Sequence, residues 1–255
     1  MELSLGFKKA SLTSPRKLFL YSNYKVGKTS LVAGLEDYVS IDLEKSSSFY
    51  DGNFVDVKGY AESKSISTLV ALNDVYKLLA EEVKKRGKKF QYIVVDTATA
   101  LEEVAKELAA IDYKKTPLGS KWTGSDVTQL AHGAGYALLT SAYQKLYDLF
   151  LSSGERLILL GHLKNSSITK DGKELAAADV NLTGKLKHLV CADADAIGYL
   201  YRKSANENFV SFKKMSDTDI VTGTRCRHLE NQEFLISEKA EDGTLKTYWE
   251  KIYID

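Results

Sequence analysis

The loop from Ser22 to Ser30 combines a glycine, two lysines and several hydroxyl groups in an order that suits phosphate binding. Backbone N–H groups of such a loop surround an anion, and a lysine reaches its terminal phosphates. We predict that the loop binds a nucleoside triphosphate, that Lys28 supports its chemistry, and that Thr29 offers its hydroxyl to Mg²⁺. The predicted loop residues are Ser22, Asn23, Tyr24, Lys25, Val26, Gly27, Lys28, Thr29 and Ser30.

The same loop departs at one position from the pattern G-x-x-x-x-G-K-[ST], because Ser22 stands where the first glycine is usual. A serine there costs on the order of 1–3 kcal/mol only if the backbone needs a positive φ or a very close approach. Since serine is small, we expect the loop to work. The alternative is a chance Gly-Lys-Thr sequence, and the predicted order of strand, loop and helix argues against it.

Two acidic residues end apolar runs that predict strands. Asp96 follows the run 90–95, where a carboxylate can hold Mg²⁺ or, alternatively, cap the next helix. Glu44 is the last residue of the run 37–44. The carboxyl end of such a strand faces the ligand crevice, where Glu44 can polarise an attacking water. Asp42 lies on the same face of that strand and is the rival base. An exposed acid without a role is the remaining alternative for Glu44.

One histidine, His162, follows the apolar run 156–160. At a strand end beside the loop it can sense the terminal phosphate and move the segment that follows. By chemistry alone, a hydrogen-bonded histidine at a strand edge is the simpler interpretation.

Short apolar runs alternate with helical patterns along most of the chain. Strands are predicted at residues 17–21, 37–44, 54–57, 90–95 and 156–160, and helices from about 29 and at 66–83, 98–111 and 127–152. Residues 112–126 look irregular, 162–184 predict a mobile loop, and a hairpin is predicted across 204–208. We predict one α/β domain, residues 1–255, with a mainly parallel sheet and helices on both faces. Its core covers about 17–227, and antiparallel strands at about 228–255 extend the sheet.

Composition bounds the function only loosely. The 255 residues include 35 basic and 34 acidic side chains, a net charge of +1, which neither requires nor excludes a nucleic-acid partner. Two cysteines without CxxC spacing argue against a disulfide framework or a structural zinc site. No window approaches 18 apolar residues, and the N-terminus has no long apolar stretch, so we expect a cytoplasmic protein that does not enter a membrane.

Five stretches together resemble the RecA-like P-loop ATPases, and more closely the phage-type members of the AAA-domain and single-strand annealing recombinase family. In chain order they are SNYKVGKTS, SIDLE, YIVVDTATALEE, HGAGYALL and RLILLGHLK. The resemblance implies ATP and Mg²⁺ as ligands and a phage protein of the host cytoplasm. It also implies that Glu44 is the catalytic base and that His162 is a polar switch leading into a DNA-binding loop.

The resemblance further implies a basic residue that reaches the nucleotide of a neighbouring subunit, and hence a homo-oligomer, either a ring or a filament. Lys213 and Lys214 in FVSFKKM match that position, with Arg225 and Arg202 as alternatives.

Two lysine-rich segments are candidate sites for single-stranded DNA. In residues 113–126 lysines flank a tryptophan, which can stack a base for roughly 1–3 kcal/mol. Residues 163–187 offer a second track, whose phosphate contacts would weaken with salt. The candidate DNA-binding residues are Lys114, Lys115, Lys121, Trp122, Lys164, Lys170 and Lys173. Solvated loops without a partner are the alternative.

The expected function is Mg²⁺-dependent ATP hydrolysis coupled to oligomeric assembly on single-stranded DNA, in recombination or annealing. A single-strand-binding protein is a further expected partner. The alternatives are a compact replicative helicase or helicase loader, and a nucleotide-gated scaffold that does not bind DNA. A small-molecule kinase stays open, whereas the absence of an N-K-x-D sequence argues against a GTPase.

Overall fold

Eleven strands form one mixed sheet in the computed structural model, which describes residues 12–170, 173–214 and 220–255. The strands are β1 (Lys17–Ser22), β2 (Tyr38–Asp42), β3 (Phe54–Asp56), β4 (Phe90–Asp96), β5 (Gly154–Lys170), β6 (Lys173–Val180), β7 (Ala196–Arg202), β8 (Glu207–Ser211), β9 (Gly223–Thr224), β10 (Glu233–Lys239) and β11 (Leu245–Thr247). The helices are α1 (Lys28–Val32), α2 (Val57–Lys64), α3 (Thr68–Arg86), α4 (Ala98–Lys114), α5 (Gly135–Ser153) and α6 (Gly184–Asp193).

The strand order is β11-β10-β8-β7-β1-β5-β4-β2-β3, with β6 paired to β5 and β9 paired to β7. The six strands from β7 to β3 run parallel, and the others pair antiparallel. Strand β5 lies between β1 and β4, so that Ser22 pairs with His162 and Asp96 pairs with Leu160. The register therefore brings the ends of β1, β5 and β4 to one edge of the sheet. The predicted fold class is confirmed.

Apolar side chains fill both faces of this sheet. Leu72 of α3, Leu101 of α4 and Leu139 of α5 pack on one face, whereas Leu31 of α1 and Trp249 near the C-terminus pack on the other. The central strands are continuous apolar runs because both of their faces are covered. None of the helices in the described ranges is long and apolar enough to cross a membrane.

The helix predicted from Val127 to Ser152 begins later than expected. Two short 3₁₀ turns, at 127–129 and 131–133, precede α5. His132 and Gly133 adopt left-handed φ angles of 56° and 70°, which a continuous helix does not allow. Gly135 then packs so tightly that an added Cβ would lie 1.6 Å from the carbonyl oxygen of Val127. The prediction was wrong because the apolar spacing continues across this interruption.

The mobile loop predicted for residues 162–184 is also wrong for the described backbone. Strand β5 continues to Lys170 and pairs with β6 in a hairpin, in which Leu163 pairs with Val180 and Lys170 with Lys173. The segment NSSITK lacks the apolar alternation that predicts a strand. Backbone pairing forms the hairpin without that pattern.

Candidate active site

The loop between β1 and α1 takes left-handed backbone angles at two positions, Lys25 (φ 61°) and Gly27 (φ 107°). Glycine adopts such angles without steric cost. Ser22, by contrast, is the last residue of β1, is completely buried and has no left-handed angle. Its hydroxyl donates to the carbonyl of Asn23 (2.7 Å) and accepts from the ammonium of Lys28 (3.0 Å). The serine therefore adds a contact for Lys28 and no backbone strain.

The buried Lys28 connects this loop to β5. Its Nζ donates to Ser22 and, at 3.4 Å, to the carbonyl of Asn23, and lies 3.3 Å from Nδ1 of His162. Burial lowers the pKa of Lys28, while the carboxylates of Asp96 and Glu44 oppose that shift. A protonated lysine has no acceptor. Nδ1 of His162 must then accept, which leaves the imidazole proton on Nε2.

That second ring nitrogen faces Glu44. Nε2 of His162 lies 3.1 Å from Oε2 of Glu44, and the hydroxyl of Thr97 donates to Oε1 at 3.0 Å. Burial acts to raise the pKa of Glu44, but the hydrogen bonds from His162 and Thr97 and the positive charge of Lys28 oppose it, and the pKa lies below its ordinary value. The ring of Tyr24, itself 64% exposed, stacks on His162 with 4.4 Å between centroids. A continuous chain of contacts thus joins Lys28, His162, Glu44 and Thr97.

Three oxygen-bearing side chains meet beside this chain. The hydroxyls of Thr29 (2.7 Å) and Ser46 (3.0 Å) both donate to Oδ2 of the buried Asp96. Burial raises the pKa of Asp96, and those two hydrogen bonds oppose the rise. Asp96 is not the N-cap of α4, which was its alternative role. The cap is Thr97, whose hydroxyl accepts from the N–H of Ala100.

These donors suit Mg²⁺, which prefers oxygen ligands and takes one or two carboxylates together with phosphate oxygens. Among the described residues, no group of three or more His, Cys, Asp or Glu side chains is arranged to hold a metal ion. A metal beside Thr29 and Asp96 would therefore complete its ligand set with oxygens of the nucleotide and of water.

Asp42, the rival base, holds the segment that follows β2. Its carboxylate accepts from the N–H of Glu44 (2.9 Å), the N–H of Ser47 (2.8 Å) and the hydroxyl of Ser47 (2.5 Å). It is completely buried, whereas Glu44 lines the open cleft. Asp42 therefore holds the backbone of Glu44, and only Glu44 reaches the cleft.

Most of these groups line one cleft of about 530 Å³, a size typical of small-ligand sites. Its lining residues are Tyr24, Lys25, Gly27, Lys28, Thr29, Ser30, Glu44, Ser46, Tyr50, Asp96, His162 and Arg202. A larger cavity of about 880 Å³ lies between α5 and α6 and contains none of the residues predicted for the nucleotide site. We assign nucleotide binding to the smaller cleft because the phosphate loop lines it.

A model of the AAA domain family matches residues 14–232, a span that contains the whole cleft. The chain belongs to the AAA domain family. This membership confirms the prediction of a P-loop NTPase and supports nucleotide binding by the AAA domain. The phage-type RecA-like subtype stays a prediction. A search of curated proteins finds no match to this AAA domain protein.

The two lysines predicted to act on a neighbouring subunit lie outside the cleft of their own chain. Lys213 and Lys214 follow β8 at the end opposite to the one beside the phosphate loop, and both are exposed. The ammonium of Lys213 lies 3.6 Å from Glu233. The alternative residue Arg225 contacts the carbonyl of Ala192 (2.7 Å). A role in a neighbouring subunit stays a prediction for Lys213 and Lys214.

The first candidate DNA segment also lies outside the cleft. Helix α4 has 17 residues, which places Lys114 about 25 Å along the helix axis from the site edge. Lys115 and Lys121 are exposed, and Lys115 pairs with Asp112. Trp122 is half-buried, with its ring edge-on to Tyr113 and the ammonium of Lys114 5.5 Å from its centre. Much of the surface of Trp122 is thus engaged within the protein.

The second candidate DNA segment begins at the cleft. Lys164 is exposed and lies two residues beyond His162 on β5. Lys170 and Lys173 pair through their backbones at the far end of the hairpin, and their side chains lie outside the described part.

Three site residues were not predicted in their observed roles. Thr97 carries a recognisable signal, since a threonine before a helical pattern is a typical cap. Ser46 carries none, because its role depends on how the segment after β2 folds over Asp96. Arg202 ends β7, next to β1, and therefore reaches the phosphate loop of its own chain.

Proposed function

We propose that this AAA domain protein hydrolyses ATP in the cleft between the phosphate loop and Glu44. The observation that carries the proposal is the unbroken set of contacts from Lys28 through His162 to Glu44. These contacts connect Lys28, a residue type that binds terminal phosphates, to Glu44, a carboxylate able to activate water, across the width of one cleft.

The phosphate loop and Lys28 would bind the triphosphate. Thr29 and Asp96 would hold Mg²⁺, which when bound supplies positive charge against the charge of the β- and γ-phosphates. Glu44 suits the role of base because it lines the cleft and its lowered pKa leaves its carboxylate ionised, with no proton of its own. Thr97 and His162 orient its two oxygens.

His162 would couple nucleotide binding to this base. Lys28 donates to Nδ1 of His162. When the ammonium of Lys28 turns to a phosphate, Nδ1 loses its donor, and the contact between His162 and Glu44 is then free to change. Binding of the triphosphate would thereby release Glu44 for the attacking water.

We extend the proposal to single-stranded DNA and to oligomeric assembly. Strand β5 runs without a break from the core through His162 into the hairpin that carries Lys164, Lys170 and Lys173. The N–H of Asn181, just after β6, donates to the carbonyl of His162 (2.9 Å). Both β-strands of the hairpin thus meet at His162, the residue beside the proposed base Glu44. Single-stranded DNA bound to the hairpin would therefore affect ATP turnover.

The test is ATP hydrolysis with and without single-stranded DNA, at low and high salt, with three variants. Lys28→Ala should abolish turnover. Lys164→Ala should lower DNA stimulation and leave basal turnover intact, and Lys77→Ala, an exposed lysine on α3, is its matched control.

Stimulation by DNA that falls with salt would support the full proposal. Turnover that ignores DNA would refute the DNA coupling and favour a nucleotide-gated scaffold. Directional unwinding of a duplex would favour a helicase. No turnover with Mg²⁺ present would refute hydrolysis itself.

A further inference from the structure

Arg202 reaches over the phosphate loop of its own chain. It is the last residue of β7, which pairs in parallel with β1. One guanidinium nitrogen donates to the carbonyl of Lys25 at 3.1 Å and lies 3.4 Å from that of Val26. The same side chain lines the 530 Å³ cleft beside Lys28 and Thr29. Strand pairing therefore delivers this arginine to the nucleotide site without any second subunit.

The charge of Arg202 faces the cleft without an acidic partner. Three other arginines pair with carboxylates: Arg86 with Asp37, Arg156 with Asp255 and Arg225 with Asp195. Arg202 has no such pair among the residues that the structure describes, and its recorded bonds use only one of the guanidinium nitrogens. The remaining N–H groups can donate to an anion, and an arginine stays charged at any physiological pH.

The carbonyls that Arg202 contacts belong to the strained part of the loop. Lys25 holds a left-handed φ of 61°, an angle that non-glycine residues adopt only at some cost. The strand partner of Arg202 is Asn208 on β8, whose side-chain amide would lie 3.3 Å from a Cβ added at Gly27. The β7–β8 hairpin thus contacts the loop at Lys25 through Arg202 and lies close to Gly27 through Asn208.

We propose that Arg202 acts in cis: it positions the phosphate loop through the carbonyls of Lys25 and Val26, and it donates to the phosphates of the nucleotide bound by the same chain. The inference rests on the proposed ATP site and deepens it. It differs from the alternative drawn from the sequence, in which Arg202 would serve the nucleotide of a neighbouring subunit.

The first test is binding of a fluorescent ATP analogue with Mg²⁺ to the full chain. Arg202→Ala should weaken binding about tenfold, the loss of one charge-assisted contact. Arg202→Lys should recover part of that loss, because it keeps the charge but not the planar fork. In turnover assays KM should rise while kcat changes less than about threefold, as expected for a contact made equally in ground and transition states. Arg227→Ala, an exposed arginine outside the cleft, should bind like the wild type.

The second test separates cis from trans. Arg202→Ala chains are titrated with the analogue in the presence of excess Lys28→Ala chains, which bind no nucleotide but carry an intact Arg202. Binding that stays weak supports action in cis. Binding that returns to the wild-type value shows action in trans and overturns the inference.

Two further outcomes are informative. If the wild-type chain binds ATP, Lys28→Ala does not, and Arg202→Ala binds like the wild type, only the inference about Arg202 fails. If the wild-type chain itself does not bind ATP, the proposed function fails and the inference fails with it. Thermal melting of Arg202→Ala and Arg202→Lys confirms that both variants are folded before their affinities are compared.

Discussion

Exchanging Asp42 for asparagine should separate the role of this carboxylate from that of Glu44. Asp42 is completely buried and accepts from two backbone N–H groups and from the hydroxyl of Ser47. An asparagine keeps one acceptor, but its NH₂ group must face at least one of those donors. An unsatisfied buried donor costs about 1–3 kcal/mol, and the remaining bonds lose their charge assistance. We expect Asp42→Asn to lower the free energy of unfolding by about 2–4 kcal/mol.

For a chain of this length such a loss lowers the melting temperature by about 5–10 °C. Glu44→Gln is the matched variant, two residues further along the chain. It keeps the shape of a half-exposed side chain, so its melting temperature should stay within about 2 °C of the wild type. Its turnover should fall by about 10²–10⁴-fold, because an amide cannot accept the proton of water, while nucleotide affinity is retained.

Calorimetry, nucleotide titration and phosphate release on both variants give the comparison. The reasoning is refuted if Asp42→Asn melts like the wild type yet loses turnover while Glu44→Gln remains active. In that case Asp42 would be the base and Glu44 an exposed strand-end acid.

Two further substitutions test the backbone of the site and of the fold. Ser22→Gly removes the hydroxyl that accepts from Lys28 but relieves no backbone strain. ATP affinity should therefore stay within about threefold, and the free energy of unfolding should fall by roughly 0.5–1 kcal/mol. A tenfold loss of ATP affinity would contradict this. Gly135→Ala forces a Cβ against the carbonyl of Val127 and should cost about 3 kcal/mol or more in chemical unfolding. Gly87→Ala is its control, because a Cβ there meets open space and only the left-handed φ of 66° is unfavourable, at a cost of about 1 kcal/mol. Equal losses of unfolding free energy in the two variants would show that the contact at Gly135 is unimportant.

The sequence predicted the parts of the site that depend on strand ends. The apolar runs end just before Ser22, Asp96 and His162, and parallel strands carry the residues at their ends to one edge of a sheet. The family match supports the nucleotide-binding character that these residues suggested. Strand order was not predicted, because nothing in the runs themselves indicates that β5 inserts between β1 and β4.

The sequence could not decide the role of residues that depend on how the chain turns back after β2. Asp42 and Glu44 are equivalent as strand-end acids, and only the turn after β2 directs one inward and the other to the cleft. Ser46 acts through the same turn. The helix predicted from Val127 failed for a related reason: two left-handed residues interrupt it, and apolar spacing does not detect them.

The strands at the two ends of the main sheet limit how a second copy of the chain could extend it. Strands β3 and β11 close the row of nine, and each has only three residues. Short edge strands expose few free backbone groups and therefore give a second sheet little to extend. In the assembly that we propose, copies of this chain would therefore meet through side chains at these two ends of the sheet.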